Sequence, residues 1–258
     1  MLHAFRTFET PSPNDLIWKY MSIKNFVKMI QKESLWFYNM QNMANEYDYY
    51  EGHAPMKWVN DFDEYKKGEI DEYNEAIQPI FKKSGVIING NKNLTLKDIF
   101  DILRPNAFIL CMCISDYELY HMWENYAKQG IAVNFRYNKL QSQFLNQLEY
   151  DPYIGKVKYV DYNKPLVVKM DTIWNLFFIK RNNFESDNEF RAIILPNKYI
   201  GDQVKGIDLK VNLNDLLGNV ILHPKSTSED KETIKSCLEK NNIQTKIIFS
   251  ELDKLPSN

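Results

Sequence analysis

Cysteine is scarce. The chain has three in 258 residues, two of them the alternate pair Cys111 and Cys113, which suits a reducing compartment and excludes a disulfide scaffold. Nine glycines are spread singly. There is thus no GxGxxG, no P-loop and no GxSxG elbow, and the common dinucleotide-fold, nucleoside-triphosphatase and hydrolase readings fall away. The four histidines, His3, His53, His121 and His223, are scattered without a second His or Cys at ligand spacing, so no metal motif is present. Neither sign of charge dominates: 32 Lys and Arg face 34 Asp and Glu, for a net charge of −2. That balance excludes a generally basic nucleic-acid coat, though not a local basic groove. The longest uncharged apolar stretch, Pro105 to Ser115, reaches about half of the ~20 residues a membrane span needs. The opening MLHAFRTFETPSPND lacks the basic start, apolar core and small-residue cleavage site of a signal peptide. These absences predict a soluble, cytoplasmic protein with no membrane association.

Aromatic residues are what the chain has in excess. Sixteen Tyr, fifteen Phe and five Trp make up 14% of it. Several lie in polar company, where such rings either pack a core or wall a site for ring-shaped ligands. Apolar residues at 44% and charged residues at 26% give a globular chain enough hydrophobes for a sizeable core. At ~150 residues per domain, the length allows one large domain or two small ones.

Residues 1–15, with Pro11 and Pro13, read as a surface segment. Leu16 to Tyr20 reads as a strand. Ser22 is placed to cap a helix whose Ile23, Phe26, Val27 and Ile30 fall at i, i+3, i+4 and i+7. Leu35 to Tyr38 reads as a second strand, and NMQNMANEYDYYEGHAP after it as a polar, aromatic loop. Loosely amphipathic helices, then one opened by Thr95 and Asp98 and stopped by Pro105, make residues 60–104 a helical insertion. Ala107 to Ile114 is continuously apolar and reads as a central strand covered on both sides. A stripe of Leu119, Met122, Trp123 and Tyr126 predicts a helix that Gly130 ends before strand Ile131 to Phe135. Leu140, Phe144, Leu145 and Leu148 mark another helix, and Val157 and Tyr159 alternate with Lys156 and Lys158 as in a half-exposed strand. Val167 to Phe178 presents a broad apolar helix face. Phe190 to Leu195 reads as a strand ended by Pro196, and residues 218–250 as a β-α-β appendage. The interleaving predicts one α+β domain over residues 16–258, built on a central sheet.

Four polar-aromatic segments flank predicted strand ends, where function sits on loops held by a sheet. They carry Lys19 and Tyr20; Asp48 and Glu51; Ser115 and Tyr126; and Lys180 with Glu185, Glu189 and Arg191. Each also has an ordinary structural role open to it. Lys19 and Tyr20 suit a strand end, Asp48 and Glu51 a solvated turn, Ser115 a helix cap, and Trp123 with Tyr126 a core stripe. Glu189 and Arg191 fall on one face of their strand and suit an ion pair.

The same segments resemble a bacterial family known only as a domain of unknown function and often encountered near phage-defence genes. Its Tyr-Lys-Tyr-like strand is similar to Trp18-Lys19-Tyr20, and its Asn-Asp-Pro-Phe-Glu-like turn to Tyr47-Asp48-Tyr49-Tyr50-Glu51. Its Cys-Phe-Ser strand and Met-Trp-x-x-Tyr-Ala helix look like Cys113-Ile114-Ser115 and Met122-Trp123-Glu124-Asn125-Tyr126-Ala127. Its Lys and Glu-x-Glu-x-Arg are similar to Lys180 and Glu189-Phe190-Arg191. Tyr47 and Tyr49 stand where the family has Asn and Pro, and Asp187 where it has the first Glu, with Glu185 as a stand-in. The layout is also distantly similar to ADP-ribosyltransferases. These order a His or Arg on a first strand, a Ser or Tyr motif on a middle one and a Glu on a late one. Lys19 with Tyr20, Ser115 and Glu189 come in that order.

That layout implies an intracellular toxin or phage-defence effector that transfers ADP-ribose from NAD to a macromolecular acceptor, either protein or nucleic acid. Breaking the nicotinamide–ribose bond creates an oxocarbenium-like centre. Glu189 is expected as the carboxylate beside it, Ser115 as the group fixing the nicotinamide ribose, and Tyr20 or Tyr126 as the ring facing the cation. Lys19 and Arg191 are expected to neutralise the pyrophosphate. Two other readings compete. One is a metal-dependent nuclease in which Asp48, Glu51, Glu185 and Glu189 hold Mg²⁺ and Lys180 binds phosphate or activates water. The other is a non-enzymatic subunit, the neutralising half of a toxin–antitoxin pair, that uses its Tyr and Trp residues at an interface. A shared site requires Asp48, Ser115, Tyr126, Glu189 and Arg191 to converge.

Overall fold

A computed structural model describes residues 9–46, 96–147, 149–150, 152–164, 177–196, 198–201 and 204–253. Strand β1 (Leu16–Met21) leads into helix α1 (Ile23–Lys32), which Ser22 caps by accepting the Asn25 amide. Strand β2 (Ser34–Asn39) and helix α2 (Met40–Glu46) follow. Next come α3 (Leu96–Leu103), a 3-10 turn at Arg104–Asn106, β3 (Phe108–Ile114), α4 (Tyr120–Tyr126), β4 (Ile131–Arg136) and α5 (Tyr137–Leu145). Then come β5 (Tyr153–Lys156), β6 (Lys158–Val160), β7 (Ile179–Arg181), a 3-10 turn at Asn182–Asp187 and β8 (Glu189–Ile194). The last elements are β9 (Gly206–Lys210), α6 (Leu213–Leu216), β10 (Leu217–Leu222), α7 (Ser228–Lys240) and β11 (Lys246–Phe249). Helices and strands alternate around one mixed nine-stranded sheet, with β6 and β7 as a separate parallel pair.

The sheet forks at β3. One edge of β3 pairs along its length with β8, which in turn pairs with β5. The other edge is shared. β1 pairs with its C-terminal end (Ile17 with Ile114, Trp18 with Cys113), and β2 with its N-terminal end (Tyr38 with Ile109, Asn39 with Phe108). From there β1 continues the sheet through β4, β10 and β11, while β2 continues it through β9. Past Trp18 the β1–β3 ladder stops, and the Cys111 carbonyl in the gap accepts the Lys19 ammonium at 2.7 Å. A backbone acceptor inside the fold needs a partner, and the lysine supplies it.

Strand alternation sorts the side chains. Phe108, Leu110 and Met112 of β3 join Phe190, Ala192 and Ile194 of β8 in the main core, with Phe26 and Ile30 of α1, Leu140 of α5 and Ile234 of α7. The opposite face carries a smaller cluster of Trp18, Tyr20, Cys113, Met122 and Trp123, and beside it the charged residues of β8.

Several expectations need correction. The stretch expected as a polar loop after β2 begins as helix α2, because the Asn39 side chain accepts the Asn42 amide and Met40 and Ala44 are buried one turn apart. Lys156 to Val160 is two strands in two sheets. The break falls at Val157, whose amide donates to the Glu189 carbonyl. Gly130 does not end α4, which stops at Tyr126. A Cβ at Gly130 would lie 2.2 Å from the Met21 carbonyl oxygen, so glycine is there for that close approach. The C-terminal β-α-β extends the main sheet through the β10–β4 ladder. Pro11 is buried within the surface segment. Most of the helical insertion, residues 60–95, lies outside the described residues, as does the helix face over residues 165–176. No described helix is long and apolar enough to cross a membrane.

Candidate active site

Glu189 and Arg191 stand on the face of β8 away from the core, both buried. Arg191 donates from Nε to Glu189 Oε1 at 2.5 Å and from Nη2 to Oε2 at 3.3 Å, a two-pronged clasp, and from Nη1 to the Phe177 carbonyl at 2.7 Å. Lys180 of β7 closes the group from the other side, donating to Glu189 Oε2 and Asp187 Oδ2, each at 3.1 Å. The backbone makes this possible at Asn188. Its left-handed conformation (φ 39) lets the carboxylates of Asp187 and Glu189 converge on one ammonium. The Asn188 side chain donates to the Ile114 carbonyl at 2.8 Å, which fastens the turn to the end of β3. Buried charges persist only when paired and hydrogen-bonded, and here each one is.

Burial on its own would push the Glu189 carboxyl up. The Arg191 guanidinium, then the Lys180 ammonium, outweigh it and hold the group at about 2, with a Cys111 hydrogen bond acting in the same direction. Glu189 is a fixed anion at neutral pH. Burial pushes the Lys19 ammonium below the usual lysine range, against the charges of Cys111 and Glu189. Burial also pushes the Cys113 thiol up to about 12 and the Tyr126 and Tyr159 phenols above their usual range. The Tyr159 hydroxyl accepts the Glu189 amide at 2.8 Å.

The sequence candidates divide. Glu189, Arg191 and Lys180 form the centre. Tyr126 stands at its rim, 48% exposed and within electrostatic reach of Lys180, Asp187 and Glu189. Ser115 lies two residues beyond Cys113, the β3 partner of Glu189. It caps no helix; its hydroxyl accepts the Tyr117 amide at 3.3 Å, and Leu119 is the cap of α4. Tyr20 is a core residue. Its ring meets Trp123 edge-on at 5.1 Å and its hydroxyl accepts the Leu119 amide, which leaves no ring face for a ligand. Arg191 clasps Glu189 from full burial and Lys19 serves Cys111, so the pyrophosphate role expected for these two does not fit their places. Glu185 is exposed, and Asp187 occupies the position beside Lys180 for which Glu185 was expected as a stand-in. Asp48 and Glu51 lie outside the described residues.

Nothing in the sequence pairs Asp187 with Lys180, or brings Tyr159 and Cys111 to Glu189. The Asp-x-Glu-x-Arg spacing was the available signal for Asp187, although alternation covers only Glu189 and Arg191 and it is the left-handed Asn188 that turns Asp187 towards the same ammonium. Among the described residues no three His, Cys, Asp or Glu side chains gather as ligands for a metal. Comparison with known proteins finds no family model, no curated protein and no solved structure that matches the chain.

Proposed function

We propose that the Glu189 cluster is a reaction centre for transferring ADP-ribose from NAD to a macromolecule, in a toxin or defence effector with a protein or nucleic-acid acceptor and a cognate neutralising partner. The observation that carries this reading is the setting of Glu189, a buried carboxylate clasped at both oxygens by Arg191 and met at Oε2 by Lys180, two cations that keep it ionised. A general acid would need a raised pKa. A permanent, preorganised anion instead suits the positive charge that develops on the ribose as nicotinamide leaves. Lys180, the more exposed of the two cations on Glu189, is suited to the pyrophosphate, and Tyr126 offers the nicotinamide ring a cation–π face worth ~0.5–2 kcal/mol. Ser115, at the end of the strand paired with β8, is placed for the ribose. Lys19 and Arg191 act as supports.

In support of this reading, Lys19 on β1, Ser115 just past the end of β3 and Glu189 on β8 follow one another in the order expected from the resemblance to ADP-ribosyltransferases. Mg²⁺ fits the centre poorly, because both carboxylates already face Lys180, and Glu189 faces Arg191 as well. The test is to mix purified protein with NAD and follow free nicotinamide. Release is expected. Silence with NAD, together with metal-dependent loss of RNA or DNA, overturns the reading in favour of a nuclease.

A further inference from the structure

Transfer to a hydroxyl needs a group that takes the hydroxyl proton, and Glu189, locked between two cations, is not available for it. His121, in the first turn of α4, stands at the other end of the same chain of contacts. Its Nε2 is buried without a hydrogen-bond partner, a condition rare enough in folded proteins to need a reason. That nitrogen lies 3.8 Å from Asp187 Oδ1, while Asp187 Oδ2 is the oxygen held by Lys180. Asp187 thus turns one oxygen to Lys180, and through it to Glu189, and the other to His121. The separation exceeds a hydrogen bond, but catalytic contacts are commonly long before substrate binds and tighten in the complex. The His121 side chain is 35% exposed although its Nε2 is buried, so its exposed surface lies elsewhere on the side chain.

We propose that Asp187 and His121 form a dyad that deprotonates the acceptor hydroxyl, an inference that rests on the ADP-ribosyl transfer reading. Asp187 accepts the Nε2 proton and so fixes the tautomer in which Nδ1 is free to act as base. As the bond between ribose C1′ and nicotinamide breaks, its electron pair leaves with the nicotinamide. A lone pair of the acceptor oxygen forms the new C1′–O bond, and the O–H proton moves to His121 Nδ1. The pyridinium becomes neutral nicotinamide, the imidazole becomes imidazolium against Asp187, and Glu189 stays anionic throughout. His121 is then a catalytic residue, and Asp187 a positioning residue that acts through it.

Two readouts keep this dyad separable from the reading beneath it. Nitrogen-15 spectra of histidine-labelled protein, assigned with His121→Gln, report the tautomer without substrate. The expected result is a protonated Nε2 and bare Nδ1 in the wild type, with that preference lost in Asp187→Asn. A protonated Nδ1 in the wild type overturns the dyad whatever NAD does. Nicotinamide release from NAD with water as acceptor should fall ~10²-fold or more in His121→Ala and recover in part with added imidazole. A wild-type rate in that variant overturns the dyad and leaves Glu189 in place, whereas a wild-type protein that releases nothing overturns both. Asp187→Asn also unpairs Lys180, so melting curves accompany it; if it does not fold, His121→Ala at its half-exposed position decides.

Discussion

Phe190 and Arg191 are sequence neighbours, both fully buried, and they face opposite sides of the same sheet. On the Phe190 side, side chains of β3 and β8 belong to one apolar core with those of α1, α5 and α7, and stability there follows the area removed from water. On the Arg191 side, two cations and two carboxylates share a space that apolar residues would fill at no electrostatic cost. Desolvating charges is expensive, and well-packed hydrophobic replacements of buried ion pairs are often as stable or more so. The apolar face accounts for the fold. The charged face is the one on which we propose the reaction.

The largest effects separate the faces directly. Phe190→Ala should lose ~3–5 kcal/mol in chemical denaturation, and Arg191→Met, which leaves Glu189 with one cation fewer in a dry site, about as much. The double variant Glu189→Met/Arg191→Met should recover most of the Arg191→Met loss. A double variant no more stable than the single one would show that the charges hold the fold together and would erase the contrast. Next in size is the response to acid. The Glu189 pKa is lowered on folding, so its contribution is full above the ordinary carboxylate range and is lost as pH falls from ~4.5 towards 2. Melting temperature across that window should drop more steeply in the wild type than in the double variant, and parallel curves would contradict the assignment. The smallest effect is expected at the edge of the sheet, where Lys32 and Asp208 form a solvent-exposed pair. Lys32→Ala should shift stability by only ~0–1 kcal/mol.

Much of the frame could be read from single segments. β1, β3 and β8 announce themselves by alternation or by an unbroken apolar run, and Ser22 marks the start of α1. Glu189 and Arg191 share a face because they are two apart on a strand, which is why their ion pair was legible. The fork at β3 was not, because it depends on which strands end against which, and nothing near Lys19 says that its ammonium meets the Cys111 carbonyl. Asp187 joins Glu189 at the Lys180 ammonium through the left-handed turn at Asn188, a conformation that the sequence permits without requiring. His121 was discarded because no second ligand lies at helical spacing. Its partner Asp187 comes from a distant turn that tertiary pairing brings alongside. Tyr20 was misassigned for a related reason, since a strand-end tyrosine looks available until Trp123 covers it.

In the reaction we propose, the charge of Glu189 is what serves catalysis. Glu189→Gln keeps the size and reach of the side chain and removes that charge. Nicotinamide release from NAD by this variant, measured beside its melting curve and the wild type, tests the claim most directly. The expected result is a folded protein whose release falls ~10²-fold or more, the scale of a lost electrostatic stabiliser. A folded Glu189→Gln protein that releases nicotinamide at the wild-type rate would contradict it.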